Sequence, residues 1–355
     1  MLLHVFNPEH DIALASNLAN FTAPHAGRQL RGDLGFLPAL WAGEEDVVMV
    51  DHVESAEKGY RKVVQRLHRL GCGDLLRRDV SFVPARQGVS THQIAGVQPW
   101  GWNLALRASL KRMGIPESVM PATEQIERIR QLSHRRTAAR LLPFLQTAGT
   151  VGEAFECIQA EEVEALLAKY GQVVMKAPWS SSGRGLRFLS TERTPFQMQA
   201  GWFRHLVSMQ GSVMVEPLYD KVKDFGMEFC VDDAGIHYLG LSLFHTKNGA
   251  YVGNILTTEY KKREMISRYL SMDLLDSVQQ RIVQHLDLGD YRGPFGIDMM
   301  VVNSNNQRFL HPCVEINLRR TMGHVALAIS PNDDDIQRVM RIEYNGSNYQ
   351  LKIQR

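Results

Sequence analysis

The chain has 355 residues, of which 44% are hydrophobic and 22% are charged, and its formal net charge is +2. This composition is typical of a globular protein with two or three hydrophobic cores, and it excludes a disordered chain. Lysine and arginine are spread along the sequence without a basic block, which disfavours nucleic acid as a partner and favours small molecules.

The cysteines and the N-terminal segment indicate the compartment. The cysteines are isolated and form no CxxC pair, which argues against a zinc site or a disulfide framework and fits a reducing cytoplasm. The opening segment reaches Glu9, His10 and Asp11 too early for a signal peptide, and no apolar run approaches about 18 residues. We therefore expect a soluble, cytoplasmic protein with no membrane partner, either as a monomer or as a homo-oligomer.

The N-terminal 120 residues alternate between strand and helix patterns, which predicts a small α/β domain. The residues from 2 to 6 predict a buried strand. A polar turn follows it, and the apolar residues after the turn have the spacing of a helix. In open α/β sheets, ligands bind where a strand ends and a helix begins. The candidates for substrate binding are therefore Asn7, Glu9, His10 and Asp11 in the turn, with Arg28 further along. A helix cap with solvated neighbours also explains the turn, and the absence of GxGxxG gives no support for a dinucleotide.

A Ser/Gly loop follows the first predicted domain boundary, which lies near the prolines at 116 and 121. A helix is expected from Glu124 to Leu145, with Arg135 either contacting an anion or facing solvent. The strand at 173–176 ends in Lys176, and the loop at 180–185 leads into another strand. Small residues let backbone N–H groups close around phosphate oxygens, with the lysine ammonium at the base of the loop. A flexible hairpin loop is the alternative, and the strand–loop–strand order argues against a P-loop.

The segment from residue 212 to 232 carries polar groups next to apolar strands. The break at Glu216 to Leu218 exposes main-chain groups that are able to pair with a planar base. Asp224 and Glu228 follow, and their carboxylates either accept ribose hydroxyls or lie on a strand edge. Residues 261 to 289 predict a long amphipathic helix, and the C-terminal residues predict two strands joined by an Asn-Gly turn.

Near the C-terminus, two strands joined by an Asn/Ser-rich turn carry three oxygen ligands. Strand alternation places Glu315 and Asn317 on one face. If the chain turns near residue 305, Asp298 lies opposite Cys313 and one diagonal step from Glu315. With Arg319 beyond them, these oxygens form a cluster suited to Mg²⁺ that carries phosphate. A polar, solvated hairpin face is the alternative, and the proline at 312 signals a bulge that would alter the register.

In order and spacing, these motifs resemble those of the ATP-grasp superfamily over roughly residues 121 to 330. The matching motifs are SHRR, MKAPWSSSGRG, VMVEPLY, MEFCV, GID and EINLR. The resemblance implies a small subdomain at 121–190 and a large one at 191–355, with mostly antiparallel sheets and ATP between them. The N-terminal α/β domain at 1–120 then corresponds to the domain that commonly precedes this fold.

The resemblance also implies roles for individual residues. Carried across by position, the phosphate contacts are Arg135 and Lys176, and the lid includes Ser181, Ser182, Gly183 and Gly185. The adenine hinge is Glu216 and Leu218, and the ribose ligand is Asp224 or Glu228. The magnesium ligands are Asp298, Glu315 and Asn317, and Arg319 contacts the transferred phosphoryl group. The ribose ligand stays open because the segment between the hinge and Glu228 is longer than usual. Arg135 also stands where family members often have lysine.

The predicted activity is that of an ATP-dependent ligase. Such an enzyme transfers the γ-phosphoryl group of ATP to a carboxylate and joins the acyl phosphate to an amine, releasing ADP and phosphate. Its substrates are a small carboxylate and an amine, and its cofactors are ATP and Mg²⁺, with Mn²⁺ as an alternative metal. Positioning and charge neutralisation supply most of the catalysis of phosphoryl transfer. A phosphotransferase on the same scaffold and a non-catalytic ATP-binding module are the alternatives.

Overall fold

The computed structural model describes residues 1–72, 80–85, 93–180, 185–247 and 250–355. The N-terminal part forms a four-stranded parallel sheet in the order β3-β2-β1-β4. Its elements are β1 Leu2–Val5, α1 His10–Ser16, α2 His25–Leu34, β2 Val47–Val50, α3 Val53–Arg69, β3 Ser81–Pro84, β4 Gly96–Pro99 and α4 Leu104–Arg112. The helix α3 buries Ala56, Val63 and Leu67 along one face, as its amphipathic spacing requires. The predicted α/β alternation is thus present.

The connection to the next sheet contains two helices, whereas the sequence predicted one. These are α5 Thr123–Leu132 and α6 Arg136–Leu145. Between them the hydroxyl of Ser133 donates to the Ile129 carbonyl, and the buried ring of His134 packs edge-on against Trp179. The backbone N–H of Arg135 donates to the carbonyl of Pro178 over 3.3 Å. This tertiary contact turns the chain and brings Arg135 against the segment that follows Lys176.

A second, antiparallel sheet has the order β5-β8-β6-β7. Its elements are β5 Phe155–Cys157, α7 Ala160–Tyr170, β6 Gln172–Lys176, β7 Leu186–Ser190, α8 Ala200–Gln210 and β8 Val213–Pro217. Both helices pack on the sheet in one hydrophobic cluster. Because the sheet contains strands on both sides of residue 190, we propose that the small subdomain extends to Pro217.

The remaining residues form two antiparallel sheets, in the orders β10-β9-β13-β14 and β11-β12-β15-β16. Their elements are β9 Asp220–Asp232, β10 Gly235–Ser242, β11 Phe244–Lys247, β12 Ala250–Leu256, α9 Glu259–Ser267, α10 Met272–His285, β13 Gly293–Ser304, β14 Gln307–Asn317, α11 Met322–Ile329, β15 Arg338–Tyr344 and β16 Tyr349–Gln354. The single helix predicted at 261–289 is two helices, because the hydroxyl of Ser271 caps a new helix by accepting the N–H of Leu274. Among the described residues, no helix combines the length and apolar character needed to cross a membrane.

The β13–β14 hairpin has a different register from the predicted one. Asn305 and Asn306 adopt positive φ angles of 52° and 61° and form the turn, as the Asn-rich sequence suggests. The pairing then shifts between Met300, which lies opposite His311, and Asp298, which lies opposite Glu315. The prediction that Asp298 faces Cys313 is therefore wrong. Two extra residues on β14 form an irregularity next to the proline at 312, which has no N–H to donate to the ladder.

Candidate active site

One face of the sheet β10-β9-β13-β14 collects the predicted metal ligands and both ribose candidates. Paired residues on adjacent antiparallel strands point to the same face. Three successive rows across β9, β13 and β14 are Glu228, Gly296 and Asn317, then Gly226, Asp298 and Glu315, then Asp224, Met300 and His311. A Cβ atom at Gly296 would lie 2.6 Å from Oε2 of Glu228, so the lack of a side chain there lets this carboxylate pack against β13. The corrected register thus brings Asp298 closer to Glu315 than the sequence predicted.

The electrostatics of this face favour a cation. Burial, followed by the charges of Glu315 and Glu228, raises the pKa of Asp298 to about 8, although Arg319 opposes the shift. Carboxylates that raise each other's pKa in a buried place lower their free energy when they share a divalent ion. No group of three His, Cys, Asp or Glu side chains with metal-binding geometry occurs among the described residues. Two carboxylates and the amide oxygen of Asn317 still fit Mg²⁺, which takes its other ligands from phosphate and water.

Arg319 lies beside the metal ligands and is held by the N-terminal domain. Its Nε and Nη2 atoms donate to the two carboxylate oxygens of Asp11, each over 2.8 Å, and Nη2 also donates to Oδ1 of Asn317 over 2.9 Å. Burial raises the pKa of Asp11, but the Arg319 charge and its hydrogen bonds outweigh that effect and hold the pKa below its ordinary value. The turn after β1 is therefore linked through Asp11 to Arg319 and Asn317.

Arg135 connects the small sheet to the sheet face that carries Asp298, Glu315 and Asn317, which we call the metal face because these are the predicted metal ligands. Its Nη2 atom lies 2.9 Å from Oε1 of Glu315, and its Nε atom donates to the Ala177 carbonyl over 3.1 Å. Nη2 also lies 3.5 Å from the hydroxyl of Ser180 at the start of the Ser/Gly loop. A single buried guanidinium thus contacts a predicted metal ligand and the base of the predicted lid.

Lys176 and Glu216 form a buried ion pair on the neighbouring strands β6 and β8, with Nζ and Oε2 2.6 Å apart. Burial raises the pKa of Cys313 on β14, and the charges of Glu216, Asp298 and Glu315 raise it further. The residue that follows Lys176 is joined to the face through Arg135, which contacts both Ala177 and Glu315.

The hinge and the lid are described only in part. The N–H of Leu218 donates to the Gln172 carbonyl over 3.1 Å, so the contact predicted for Leu218 is limited to its carbonyl and side chain. Ser181, Ser182 and Gly183 lie outside the described residues. Gly185 is described, and its carbonyl accepts the N–H of Ala177 over 2.8 Å. A Cβ atom at Gly185 would lie 2.5 Å from Ser180, so this close approach requires glycine.

Comparison with known proteins identifies the fold. No family model matches the chain. N5-carboxyaminoimidazole synthetase from Staphylococcus aureus, solved with ADP, is 12% identical, with a TM-score of 0.50 over 98% of this chain and 83% of that one. The chain has the ATP-grasp fold. Biotin carboxylase from Campylobacter jejuni is also 12% identical, with a TM-score of 0.49 over 96% of this chain and 75% of that one.

Among curated proteins, a relative named [butirosin acyl-carrier protein]--L-glutamate ligase from Niallia circulans is 23% identical over 196 residues. The match covers 54% of this chain and 44% of the relative. The chain therefore spans less than half of the length of this curated relative.

Within this ATP-grasp fold, the two ribose candidates have different surroundings. Glu228 is buried at the N-terminal end of α11, where Gly323 has no room for a Cβ atom beside the carboxylate. Its Oε2 atom lies 2.9 Å from Nδ1 of His324 without hydrogen-bond geometry. Asp224 lies at the opposite end of the face, in the row of His311, and its Oδ2 atom accepts from Lys221 over 2.6 Å. Glu228 thus supports a helix terminus, whereas Asp224 faces the side of the hinge.

The substrate candidates in the N-terminal domain divide into two groups. Asn7 and His10 hold the chain after β4, because the Asn7 amide donates to the Gly101 carbonyl over 2.8 Å and the buried His10 ring packs on Gly101. Burial lowers the pKa of His10 to about 4, so the ring is neutral at pH 7. By contrast, Glu9 and Arg28 line a cavity of about 540 Å³ at the ends of β1 and β2. Glu9 forms a 2.9 Å ion pair with Arg31 there, and its Oε2 atom has no hydrogen-bond partner among the described residues.

His311 was not among the predicted site residues. Its ring is fully buried near the Lys176–Glu216 pair, and neither ring nitrogen has a hydrogen-bond partner within the described part of the chain. Burial lowers the pKa of His311 to about 4, so the ring is neutral. The alternation that selected Glu315 and Asn317 was the available signal, because odd-numbered positions of β14 point to the same face.

Proposed function

We propose that the chain is an ATP-dependent ligase, which converts a carboxylate into an acyl phosphate and joins it to an amine with release of ADP and phosphate. The observation that carries the proposal is the shared sheet face of Asp298, Glu315 and Asn317. Arg319 lies beside it, and Arg135 joins it to Ala177, the residue after Lys176. The ATP-grasp fold and the ligase relative support the same class of activity.

We infer that ATP lies between the small sheet and this face. Its adenine lies at the hinge of Glu216 and Leu218, and Asp224 is the ribose ligand because it lies in the row of His311, which packs against Tyr219 beside the hinge. The triphosphate then extends along the face toward Asn317. Lys176 and Arg135 neutralise its oxygens from the small subdomain, and the loop at 180–185 covers it to exclude water.

The residues of the face then position the reacting groups. When bound, Mg²⁺, or Mn²⁺ in its place, would neutralise negative charge on the phosphate oxygens. Asp298, Glu315 and Asn317 are the residues that would hold the ion. Arg319, which Asp11 holds in place, contacts the γ-phosphoryl group and the substrate carboxylate. Its positive charge reduces the repulsion between these two negative groups. The amine then attacks the acyl carbon and phosphate leaves.

The test is product analysis with a panel of small carboxylates and amines. With ATP and Mg²⁺, the correct pair should release ADP and phosphate together, whereas release of AMP would refute the acyl-phosphate route. A stable phosphorylated product without any need for amine would instead indicate a phosphotransferase.

A matched pair of variants assigns the activity to the proposed site. Glu315→Gln removes one charge from the metal face and should lower the rate by about 10²–10³. Glu192→Gln makes the same chemical change at an exposed turn and should leave the rate unchanged. Equal rates for both variants would exclude the metal face as the reaction centre.

A further inference from the structure

The cavity that contains the metal face has two chemically different ends. It measures about 470 Å³, and its charged lining residues are Asp11, Glu228, Asp298, Glu315 and Arg319. These groups form one electrostatic cluster. Arg319 binds Asp11, and the charges of Arg319, Glu315 and Glu228 all affect the pKa of Asp298. The charged part of the lining is therefore the reaction centre itself.

The rest of the lining is apolar or neutral. Leu30, Met322, Ile342 and Tyr349 line the cavity, are half-buried, and pack against one hydrophobic cluster. They lie on α2, α11, β15 and β16, which carry none of the charged lining residues, and they define the apolar end of the cavity.

Three neutral polar residues of the lining are already engaged with one another. The hydroxyl of Tyr251 donates to Oδ1 of Asn254, and Nδ2 of Asn254 donates to the hydroxyl of Ser242 over 2.9 Å. Beyond the reaction centre, the described lining residues therefore include no charged group able to pair with a charged end of a ligand. A charge buried there without a partner is strongly disfavoured.

We propose that the carboxylate substrate has an uncharged, apolar body, which lies along Leu30, Ile342 and Tyr349 while its carboxylate lies beside Arg319. This inference rests on the proposed ligase function, because it assigns the reacting carboxylate to the Arg319 end. Each methylene group that enters the apolar end should tighten binding by about fourfold, from its transfer free energy.

The first experiment compares three acids of equal length: hexanoate, adipate and 6-aminohexanoate. Binding is measured by calorimetry with the full chain, Mg²⁺ and a non-hydrolysable ATP analogue. Hexanoate should bind, and the two acids with a second charge should bind at least about tenfold more weakly. Butanoate and octanoate complete the series, with about 16-fold between successive members while the apolar end has room. Equal or tighter binding of adipate or 6-aminohexanoate overturns the proposal, and so does the absence of binding by all the neutral acids.

A charge introduced at the apolar end gives a second test. Ile342→Lys places an ammonium in the cavity and should shift the preference from hexanoate to adipate. Val339→Lys is the matched control, because Val339 is also half-buried on β15 but points to the opposite face, and it should keep the wild-type preference. If both variants retain the preference for hexanoate, the body of the substrate does not lie along Ile342. The wild-type acid series decides the question if Ile342→Lys does not fold.

The binding experiments are separate from turnover. If hexanoate binds as expected but no carboxylate and amine pair yields ADP, the ligase function fails while the apolar cavity stands. If ADP is released with dicarboxylates and the neutral acids do not bind, the ligase function stands and the assignment of an apolar substrate fails.

Discussion

The Asp11–Arg319 pair offers a sharp test of the reaction centre, because it joins the N-terminal domain to the metal face. Asp11→Asn keeps the size of the side chain and one oxygen acceptor, but it removes the charge that faces the guanidinium. Arg319 then keeps Asn317, the Arg320 carbonyl and the neutral amide as direct partners, and its position depends on the more distant Asp298 and Glu315 carboxylates.

The magnitude follows from the burial of this pair. Removing one partner of a buried ion pair costs about 3–5 kcal/mol of stability. The side chains of Arg319 and Asp11 are 16% and 17% exposed, and asparagine keeps one acceptor, so we expect a loss of about 2–3 kcal/mol. A displaced Arg319 should also lower the rate of ADP release by about 10².

The effect on stability should depend on pH. The folded-state pKa of Asp11 lies below its ordinary value of 3.8, so its stabilising contribution is fully present above that value. As the pH falls below 3.8 and through the folded-state pKa, protonation removes this contribution. The difference in unfolding free energy between wild type and Asp11→Asn should therefore be constant near neutral pH and shrink in acid.

Urea unfolding at several pH values, together with the rate of ADP release, measures these effects. The control is Asp233→Asn, since Asp233 also pairs with an arginine, Arg292, but its side chain is 99% exposed. That exposed pair should contribute nothing measurable. If the two variants lose equal stability and retain equal rates, Asp11 neither holds Arg319 nor acts in the site.

Two further predictions concern the metal face and the helix that follows it. Because burial and neighbouring charges raise the pKa of Asp298 to about 8, Mg²⁺ must displace the proton of Asp298 below that pH. The Mg²⁺ affinity measured by calorimetry should therefore fall up to about tenfold per pH unit between pH 8 and pH 6. An affinity that does not change with pH would contradict the proposed metal site. Gly323→Ala puts a methyl group against Glu228 and should lower the unfolding free energy by about 1–3 kcal/mol, whereas Gly201→Ala, which meets no atom within 4 Å, should not lower it.

Strand alternation and motif order predicted the fold and the polar face, because both depend on local sequence. The period of two in β14 selected Glu315 and Asn317 without knowledge of any partner strand. The exact partner of Asp298 was not predictable in the same way, since the shift beside residue 312 depends on how β14 leaves the ladder. Proline indicates that the ladder is interrupted, but not how many residues are left unpaired.

The partners of the charged residues were equally hidden, because they come from distant segments of the chain. Asp11 and Arg319 are 308 positions apart, and nothing near either residue indicates that they form an ion pair. The same holds for Glu228, which the resemblance presented as a ribose ligand and which packs against a helix terminus almost 100 residues later. Tertiary contacts therefore decide which of several carboxylates is free to bind a ligand.

Three cations at the site already have a carboxylate partner in the folded chain: Lys176 with Glu216, Arg135 with Glu315, and Arg319 with Asp11. These pairs hold the cations in place before a phosphate arrives, which is the condition for strong electrostatic stabilisation of a transition state. The Arg135 pair has an additional consequence, because Glu315 is also a proposed metal ligand. With ATP and Mg²⁺ bound as proposed, a triphosphate that attracts Arg135 would release Glu315 toward the ion, and an ion that attracts Glu315 would release Arg135 toward the phosphate. The two proposed binding free energies would therefore be coupled through this one ion pair.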